Sequence, residues 1–134
     1  MIVADASLLA HLLIPSSSSA LAEDVYRKDP EWSAPVLWRS ELRSVLLKRM
    51  RHSGMRIELA KAVVEKALLV IRDRETLPPT AAVLEAAVFF KVSAYDAEYL
   101  IVARQLGVPL LTFDQKLQQA APGLAISPKA FASS

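Results

Sequence analysis

The order of patterns along the chain predicts an α/β fold built on a parallel sheet. Short apolar runs with strand character alternate with longer segments of helical period, and few hairpin turn signals occur between them. The run from Val108 to Thr112 is apolar enough to be buried on both faces, which is typical of parallel sheets. With 134 residues, the chain fits a single domain, residues 1–134, that can bury a substantial core.

The first half of the chain begins with an apolar run that ends in an acid, Asp5. Pro15 stops the helix that follows this run, and Ser18 or Ser19 is a suitable N-cap for the next helix. A long helical period ends at Ser53-Gly54, where glycine suits a helix C-terminus. We expect strands at 1–5 and 32–36 and helices at 7–13, 19–28, 37–52 and 56–72.

The second half continues the alternation. Pro78-Pro79 separates a brief strand from a helix capped by Thr80. Ser93 opens a further helix, which Gly107 ends. We expect strands at 75–77, 108–112 and 124–126 and helices from 80, over 93–104 and from 114.

The composition excludes several kinds of site. The chain has no cysteine, so disulfides, thiolate chemistry and cysteine-ligated zinc are ruled out. The two histidines, His11 and His52, follow no ligand spacing, so oxygen atoms would hold any metal, which favours Mg²⁺ or Mn²⁺. No apolar run reaches the roughly 18 residues of a membrane span. Because Asp5 interrupts the apolar start, we expect no signal peptide and a cytoplasmic protein.

Positive charge is concentrated in one segment, although the net charge is only +2. One interpretation of this basic segment is a solvated helix face. The other is a surface for phosphates or for an acidic partner. Glu41 is the only acid among its basic residues, which are Arg39, Arg43, Lys48, Arg49, Arg51, His52 and Arg56.

Two acids follow predicted strands. Asp5 ends the first strand, and Asp114 lies just beyond the strand at 108–112. In open parallel sheets, ligands bind beyond the carboxyl ends of the strands, so both side chains should lie at the same edge. Aspartate is also a common helix N-cap, and both residues precede helices, so capping is the simpler role for each taken alone.

Two further acids lie on apolar helix faces. Glu41 is beside the stripe that Trp38, Leu42 and Val45 form, where a carboxylate is costly unless it is paired, protonated or metal-bound. A salt bridge to a nearby arginine is the structural alternative. Asp96 shares a face with Leu100, and it is also the third residue of a capping box that Ser93 would begin.

If the four carboxylates converge, their mutual repulsion raises their pKa values and destabilises the fold. A divalent cation relieves that repulsion. Such a cation site polarises a phosphodiester and activates a water for in-line attack. The residues therefore predict a metal-dependent phosphodiester hydrolase with Asp5, Glu41, Asp96 and Asp114 as its acids.

With these residues placed, the chain resembles the PIN-domain nucleases, and especially the VapC-type toxins of bacterial toxin–antitoxin pairs. The resemblance spans nearly the whole chain. Each motif alone is weak, but four of them in order, at the family's spacing, are specific. The motifs are VADAS with Asp5 and Ser7, LWRSELRSVLLK with Glu41, SAYDAEYLIVA with Asp96, and VPLLTFDQKL with Thr112 and Asp114.

The resemblance implies a three-layer α/β/α PIN-like domain with a central parallel sheet and magnesium-dependent endoribonuclease activity on RNA. It also implies a homodimer and a cognate VapB-type antitoxin that blocks the active-site groove. By the same resemblance, Asp5, Asp96 and Asp114 gather the metal, and Glu41 completes the acidic site or positions the water.

Supporting residues follow from the same motifs. The resemblance implies that Ser7 and Thr112 hydrogen-bond the carboxylates or the scissile phosphate. The chain has Ser44 where many relatives have asparagine, which affects a supporting contact and not the metal site. Arg39 and Arg43 flank Glu41, and we expect them either to bind RNA phosphates near the metal or to pair with the acids.

Two alternatives to a toxin remain open at this point. One is an RNA-processing nuclease of the same fold that acts without an antitoxin. The other is a non-catalytic scaffold that binds RNA or protein, against which the intact set of acids argues. A phosphatase with an aspartyl nucleophile is less well matched, because such enzymes commonly have a second aspartate two residues later and this chain has Ser7.

Overall fold

The chain forms five strands and eight helices in the computed structural model, which describes residues 1–134. The strands are β1 (Ile2–Ala4), β2 (Trp32–Pro35), β3 (Glu75–Thr76), β4 (Leu110–Leu111) and β5 (Ala125–Ile126). The helices are α1 (Ala6–Leu13), α2 (Ser19–Lys28), α3 (Trp38–Ser53), α4 (Ile57–Ile71), α5 (Thr80–Phe90), α6 (Ala94–Leu106), α7 (Gln115–Ala120) and α8 (Pro128–Ser133). The five predicted strands and seven predicted helices are confirmed.

The differences from the predicted elements are local. The apolar run at 108–112 contributes only Leu110–Leu111 to the sheet. Pro79 is the N-cap of α5, and Thr80, predicted to be the cap, is its first helical residue. Helix α8 was not predicted, although Ser127 caps it by accepting a hydrogen bond from the Ala130 N–H. A serine followed by proline is a good helix start, but six residues are too few to show a helical period.

All strand pairs in the sheet are parallel, and the strand order is β3-β2-β1-β4-β5. The chain builds outward from β1 through β2 to β3, and then crosses to the other side of β1 to add β4 and β5. The direction of winding therefore reverses between β1 and β4. In open parallel sheets, this reversal opens a crevice at the carboxyl ends of the two strands. Asp5 and Asp114 follow those two strands.

Helices cover the sheet on both sides, as the expected three-layer α/β/α arrangement requires. Helices α1, α3 and α4 pack on one another, and α4 contacts β2. Helix α6 contacts β1, β2 and β4, and α5 packs on α6. The central strands are buried on both faces, and Ile2, Val3, Leu110 and Leu111 are wholly inaccessible to solvent. None of the eight helices combines the length and the apolarity that a membrane crossing requires.

Candidate active site

The four predicted acids line one cavity of about 450 Å³ at the carboxyl ends of the central strands. Their positions come from the ends of β1 and β4, from the first turn of α3 and from the first turn of α6. No lysine or arginine forms a salt bridge with any of them, since the chain's ion pairs involve other acids. The cavity is therefore lined by carboxylates that no basic side chain neutralises. Its lining residues are Asp5, Ala6, Ser7, Leu37, Ser40, Glu41, Ser44, Val45, Lys48, Tyr95, Asp96, Tyr99, Thr112, Asp114 and Leu117.

Asp5 is both a helix cap and a wall of this cavity. Its carboxylate accepts a 2.8 Å hydrogen bond from the Leu8 N–H and so caps α1, as predicted. Burial raises the pKa of Asp5, hydrogen bonds from Thr112 and Leu8 lower it, and the charges of Asp114 and Asp96 raise it further. The net direction is upward. Burial and neighbouring acids therefore outweigh the capping bonds.

Thr112 connects the two acids that follow the central strands. The residue is fully buried, and its hydroxyl oxygen accepts a 3.1 Å hydrogen bond from the Asp114 N–H. The same side chain lies close enough to the carboxylate of Asp5 to lower its pKa. Asp114 caps α7 by accepting hydrogen bonds from the N–H groups of Lys116 and Leu117. Thr112 therefore holds the backbone of Asp114 next to Asp5.

Glu41 is half-buried in the first turn of α3. The predicted alternative, a salt bridge to an arginine, is not formed. Instead, the hydroxyl of Tyr99 donates a hydrogen bond to Glu41 Oε1 at 2.5 Å. Burial raises the pKa of Glu41, the bond from Tyr99 lowers it, and the nearby charges of Asp5, Asp96 and Glu98 raise it. The net effect favours the protonated form more than in water.

Asp96 is also half-buried, at the start of α6. Its backbone N–H donates to the Ser93 hydroxyl at 3.1 Å, so the serine cap that we predicted is present. Burial and the charge of Asp114 nevertheless raise the pKa of Asp96 above its ordinary value. The capping role therefore does not cancel the electrostatic cost of placing this carboxylate beside other acids.

The donor set of the cavity suits a hard divalent cation. No three acidic or histidine side chains meet closely enough to form a complete cation cage by themselves. The carboxylates line the cavity walls and do not meet at one point. Mg²⁺ commonly keeps several waters and binds only one or two carboxylates directly. Oxygen donors with upward-shifted pKa values, in a cavity with room for water, fit such an ion.

The structure does not bring Arg39 and Arg43 to the acids. Arg39 pairs with Glu75, with Nε 2.6 Å from Oε1 and Nη2 2.9 Å from Oε2. Both arginines lie beside Trp38 and Leu42, on the side of α3 that faces away from the cavity. Their predicted placement next to the metal, and the alternative that they pair with the site's acids, are therefore wrong. The physical reason is helical phase, because two residues on α3 turn the side chain by about 200°.

Sequence reasoning missed two residues of the cavity. Lys48 lines it and follows Glu41 by seven residues, so the two share one face of α3. This spacing was available in the sequence as a signal. Tyr99 is 3% exposed and packs in the core, but it also reaches Glu41. The two residues are 58 positions apart, so nothing local indicated that contact. Ser7 lines the cavity and is exposed, as its expected supporting role requires.

The raised pKa of Asp5 predicts that this carboxylate destabilises the fold without divalent ions. A folded-state pKa above the unfolded one means that the folded protein binds protons more tightly. The free energy of unfolding should therefore fall as pH rises from about 4, the ordinary carboxyl value, through the raised value. We expect Asp5→Asn, which keeps a capping oxygen, to raise the free energy of unfolding at pH 8 in EDTA and to leave it unchanged near pH 3.5.

Urea titrations at the two pH values measure this difference. Asp73→Asn is the matched control, because Asp73 is exposed and lies outside the cavity. It should change stability little at either pH. If Asp5→Asn were instead less stable than the wild type at pH 8, the prediction would be wrong. Capping by the charged carboxylate would then stabilise the fold by more than its burial costs.

Comparisons with known proteins agree with this architecture. The PIN domain family model matches residues 2–122. The curated relative "Ribonuclease VapC3" of Pyrobaculum aerophilum is 32% identical over 129 residues, which cover 92% of this chain and 96% of the relative. "Ribonuclease VapC1" of Mycobacterium tuberculosis is 30% identical over 122 residues, which cover 91% of both.

Two solved structures are similar over nearly the whole chain. The crystal structure of PAE2754 from Pyrobaculum aerophilum matches with a TM-score of 0.77 and 25% identity, over 98% of this chain and 86% of that chain. The crystal structure of FitAcB from Neisseria gonorrhoeae matches with a TM-score of 0.65 and 18% identity, over 96% of this chain and 99% of that chain. At this identity, the match supports the fold alone. The chain thus belongs to the PIN-domain family, in which it is of the VapC type.

Proposed function

We propose that this protein is an endoribonuclease that hydrolyses phosphodiester bonds in RNA with a divalent cation, Mg²⁺ or Mn²⁺, and that it is the toxin of a toxin–antitoxin pair. One observation carries the proposal. Four carboxylates from distant parts of the chain line a single cavity, and no basic side chain neutralises them. The relatives named ribonucleases provide the substrate class.

Asp5, Asp96 and Asp114 are the residues that would hold the cation. Asp5 and Asp96 have raised pKa values, for which burial is the largest cause and the charges of other acids a further one, so a positive charge between them relieves a strain that the fold already carries. When bound, the cation supplies Lewis-acid stabilisation of the phosphodiester and lowers the pKa of a water. Thr112 keeps Asp5 and Asp114 in register, and the exposed Ser7 hydroxyl is available to a phosphate oxygen.

Glu41 is the best candidate to orient the attacking water and accept its proton. Its pKa is raised by burial, which moves it toward the range in which a carboxylate is an effective general base at neutral pH. Oε1 is occupied by Tyr99, so Oε2 is the oxygen left for water.

RNA enters along the face of α3 that lines the cavity. Ser40, Ser44 and Lys48 follow Glu41 on that face. Lys48 is exposed and forms no salt bridge, so its charge is free for a phosphate near the acids. We propose Lys48 as the phosphate contact nearest the acids. The basic residues beyond it on α3 continue the positive surface.

The toxin assignment adds a VapB-type antitoxin that covers the cavity, and a cytoplasmic site of action where RNA is available. Its support is the VapC name of the relatives. A processing nuclease of the same fold would have the same site and no antitoxin. A neighbouring gene that encodes a small DNA-binding protein would favour the toxin over the processing nuclease. A non-catalytic scaffold has no need of four unpaired acids in one cavity.

We also propose a homodimer formed through α5. This helix has one buried residue, Ala86, and exposes Val88 by 80% and Phe89 by 71%. Beside these apolar residues, a groove contains one acid, Glu85, and one base, Arg104. A two-fold axis through this groove would place each acid against the partner's base, so the face is complementary to a second copy of itself.

The acid set predicts that Asp96→Asn abolishes cleavage. Removing one of the charges that hold the cation should lower the rate of RNA hydrolysis at least 100-fold and weaken Mn²⁺ binding in calorimetry. Expression of the wild-type protein should arrest growth, and the variant should not. Asp73→Asn should match the wild type in all three measurements. Cleavage that persists in Asp96→Asn would implicate a different site.

The RNA path predicts that Lys48→Ala weakens binding of single-stranded RNA. Measured by fluorescence anisotropy in the Asp96→Asn background, the loss should be roughly two- to fivefold, as for an exposed ion pair. The slope of log K against log salt should become shallower by about 0.7, the value for one phosphate on a single strand. Lys61→Ala, on the exposed face of α4, is the control and should leave affinity and slope unchanged.

The dimer surface predicts that Val88→Asp gives a monomer in sedimentation velocity, because each copy would bury an unpaired carboxylate in the apolar interface. Leu69→Asp is the matched control. Leu69 is 72% exposed on α4, which is also apolar. If Leu69→Asp gave a monomer and Val88→Asp did not, the interface would lie on α4 and not on α5. A wild-type protein that is itself monomeric would exclude a dimer.

A further inference from the structure

Tyr99 links two of the segments that provide acids to the cavity. Its ring is buried in the core, with only 3% of the residue exposed. Its hydroxyl donates to Glu41 Oε1 on α3 at 2.5 Å. Asp96 lies three residues earlier on the same helix, α6. One hydroxyl group thus joins α3 and α6 at the cavity.

The hydroxyl, and not the ring, makes these contacts. Phenylalanine would fill the same volume in the core, so packing alone does not require tyrosine here. A buried hydroxyl is costly unless it is hydrogen-bonded, and this one donates to Glu41 Oε1. Removing the oxygen would leave Glu41 Oε1 without its donor.

We propose that Tyr99 is a positioning residue for the hydrolysis, acting through Glu41. This inference rests on the proposed nuclease function. By holding Oε1, the tyrosine fixes the rotamer of Glu41 and presents Oε2 to the cavity. Contacts of this kind determine how well a carboxylate site is pre-organised for its ion and its water.

The first test is Tyr99→Phe, with Tyr26→Phe as the matched control. Tyr26 packs edge-on against Trp32 and lies outside the cavity. We expect Tyr99→Phe to lower kcat by roughly 10- to 100-fold, as for other residues that orient a group of a metal site. The Kd for Mn²⁺ should stay within about twofold, because Asp5, Asp96 and Asp114, and not Glu41, would hold the cation. KM for RNA should also stay within about twofold, since the hydroxyl of Tyr99 hydrogen-bonds Glu41 and not a basic side chain. Tyr26→Phe should change none of these values.

A double-mutant cycle separates positioning from a general structural effect. In a Glu41→Gln background the proton acceptor is absent, so Tyr99→Phe should lower kcat by less than about twofold further. Equal effects of Tyr99→Phe in both backgrounds would overturn the proposal, because the tyrosine would then act independently of Glu41.

A measurement on the wild type covers the case in which Tyr99→Phe does not fold. The full chain labelled with 3-fluorotyrosine has three tyrosines, and Tyr26→Phe and Tyr95→Phe assign their ¹⁹F resonances. Saturation with Mg²⁺ should shift the Tyr99 resonance and leave that of Tyr26 in place. A Tyr99 resonance that does not move would overturn the inference. If the wild type neither binds Mn²⁺ nor cleaves RNA, the proposed function itself fails. If the wild type binds Mn²⁺ and cleaves RNA, and Tyr99→Phe cleaves RNA at the same rate, only the inference about Tyr99 fails.

Discussion

The burial of like charges side by side is the constraint on which this structure depends. The pKa values of Asp5, Glu41 and Asp96 are all raised. For each of them burial is the largest cause, and the charges of other acids raise the pKa further. A fold gains nothing from that arrangement, since an asparagine or glutamine would cap or pack without the repulsion. The cation of the proposed function would relieve that repulsion. The remaining contacts of the cavity limit the cost. The Leu8 N–H hydrogen-bonds Asp5 and the Tyr99 hydroxyl hydrogen-bonds Glu41, while Thr112 and Ser93 lower the pKa values of Asp5 and Asp96.

Much of the fold could be predicted because its signals are local. Asp5 and Asp114 immediately follow apolar runs, and parallel strands bring their carboxyl ends to one edge, so their proximity required no distant contact. The predicted capping of α1 and α7 by these same residues is also observed, and it does not compete with a role at the cavity. The oxygens that cap a helix belong to a carboxylate that still faces the open end of the sheet. Capping and ion binding are therefore compatible uses of one side chain.

The rest could not be predicted, because it depends on contacts between distant residues or on the phase of a helix. The pairing of Arg39 with Glu75 joins residues 36 positions apart and removes that arginine from the site. The bond between Tyr99 and Glu41 is similarly distant. The error over Arg39 and Arg43 was different in kind, since neighbours in sequence were taken as neighbours in space. On an α-helix, a residue two positions away points to the opposite side, whereas the seventh, here Lys48, returns to within about 20°.

Helical phase also explains how one helix serves both the core and the cavity. One stripe of α3, with Trp38, Leu42 and Leu46, is buried against the domain. The adjacent stripe, from Glu41 through Ser44 to Lys48, changes from acid to hydroxyl to base as it leaves the centre of the cavity. An anionic chain that approaches along this stripe meets attraction at Lys48 and repulsion at Glu41 unless a cation offsets the acids. The same electrostatics that would recruit RNA would thus keep its phosphates away from the carboxylates until the ion is bound, which couples substrate entry to ion occupancy.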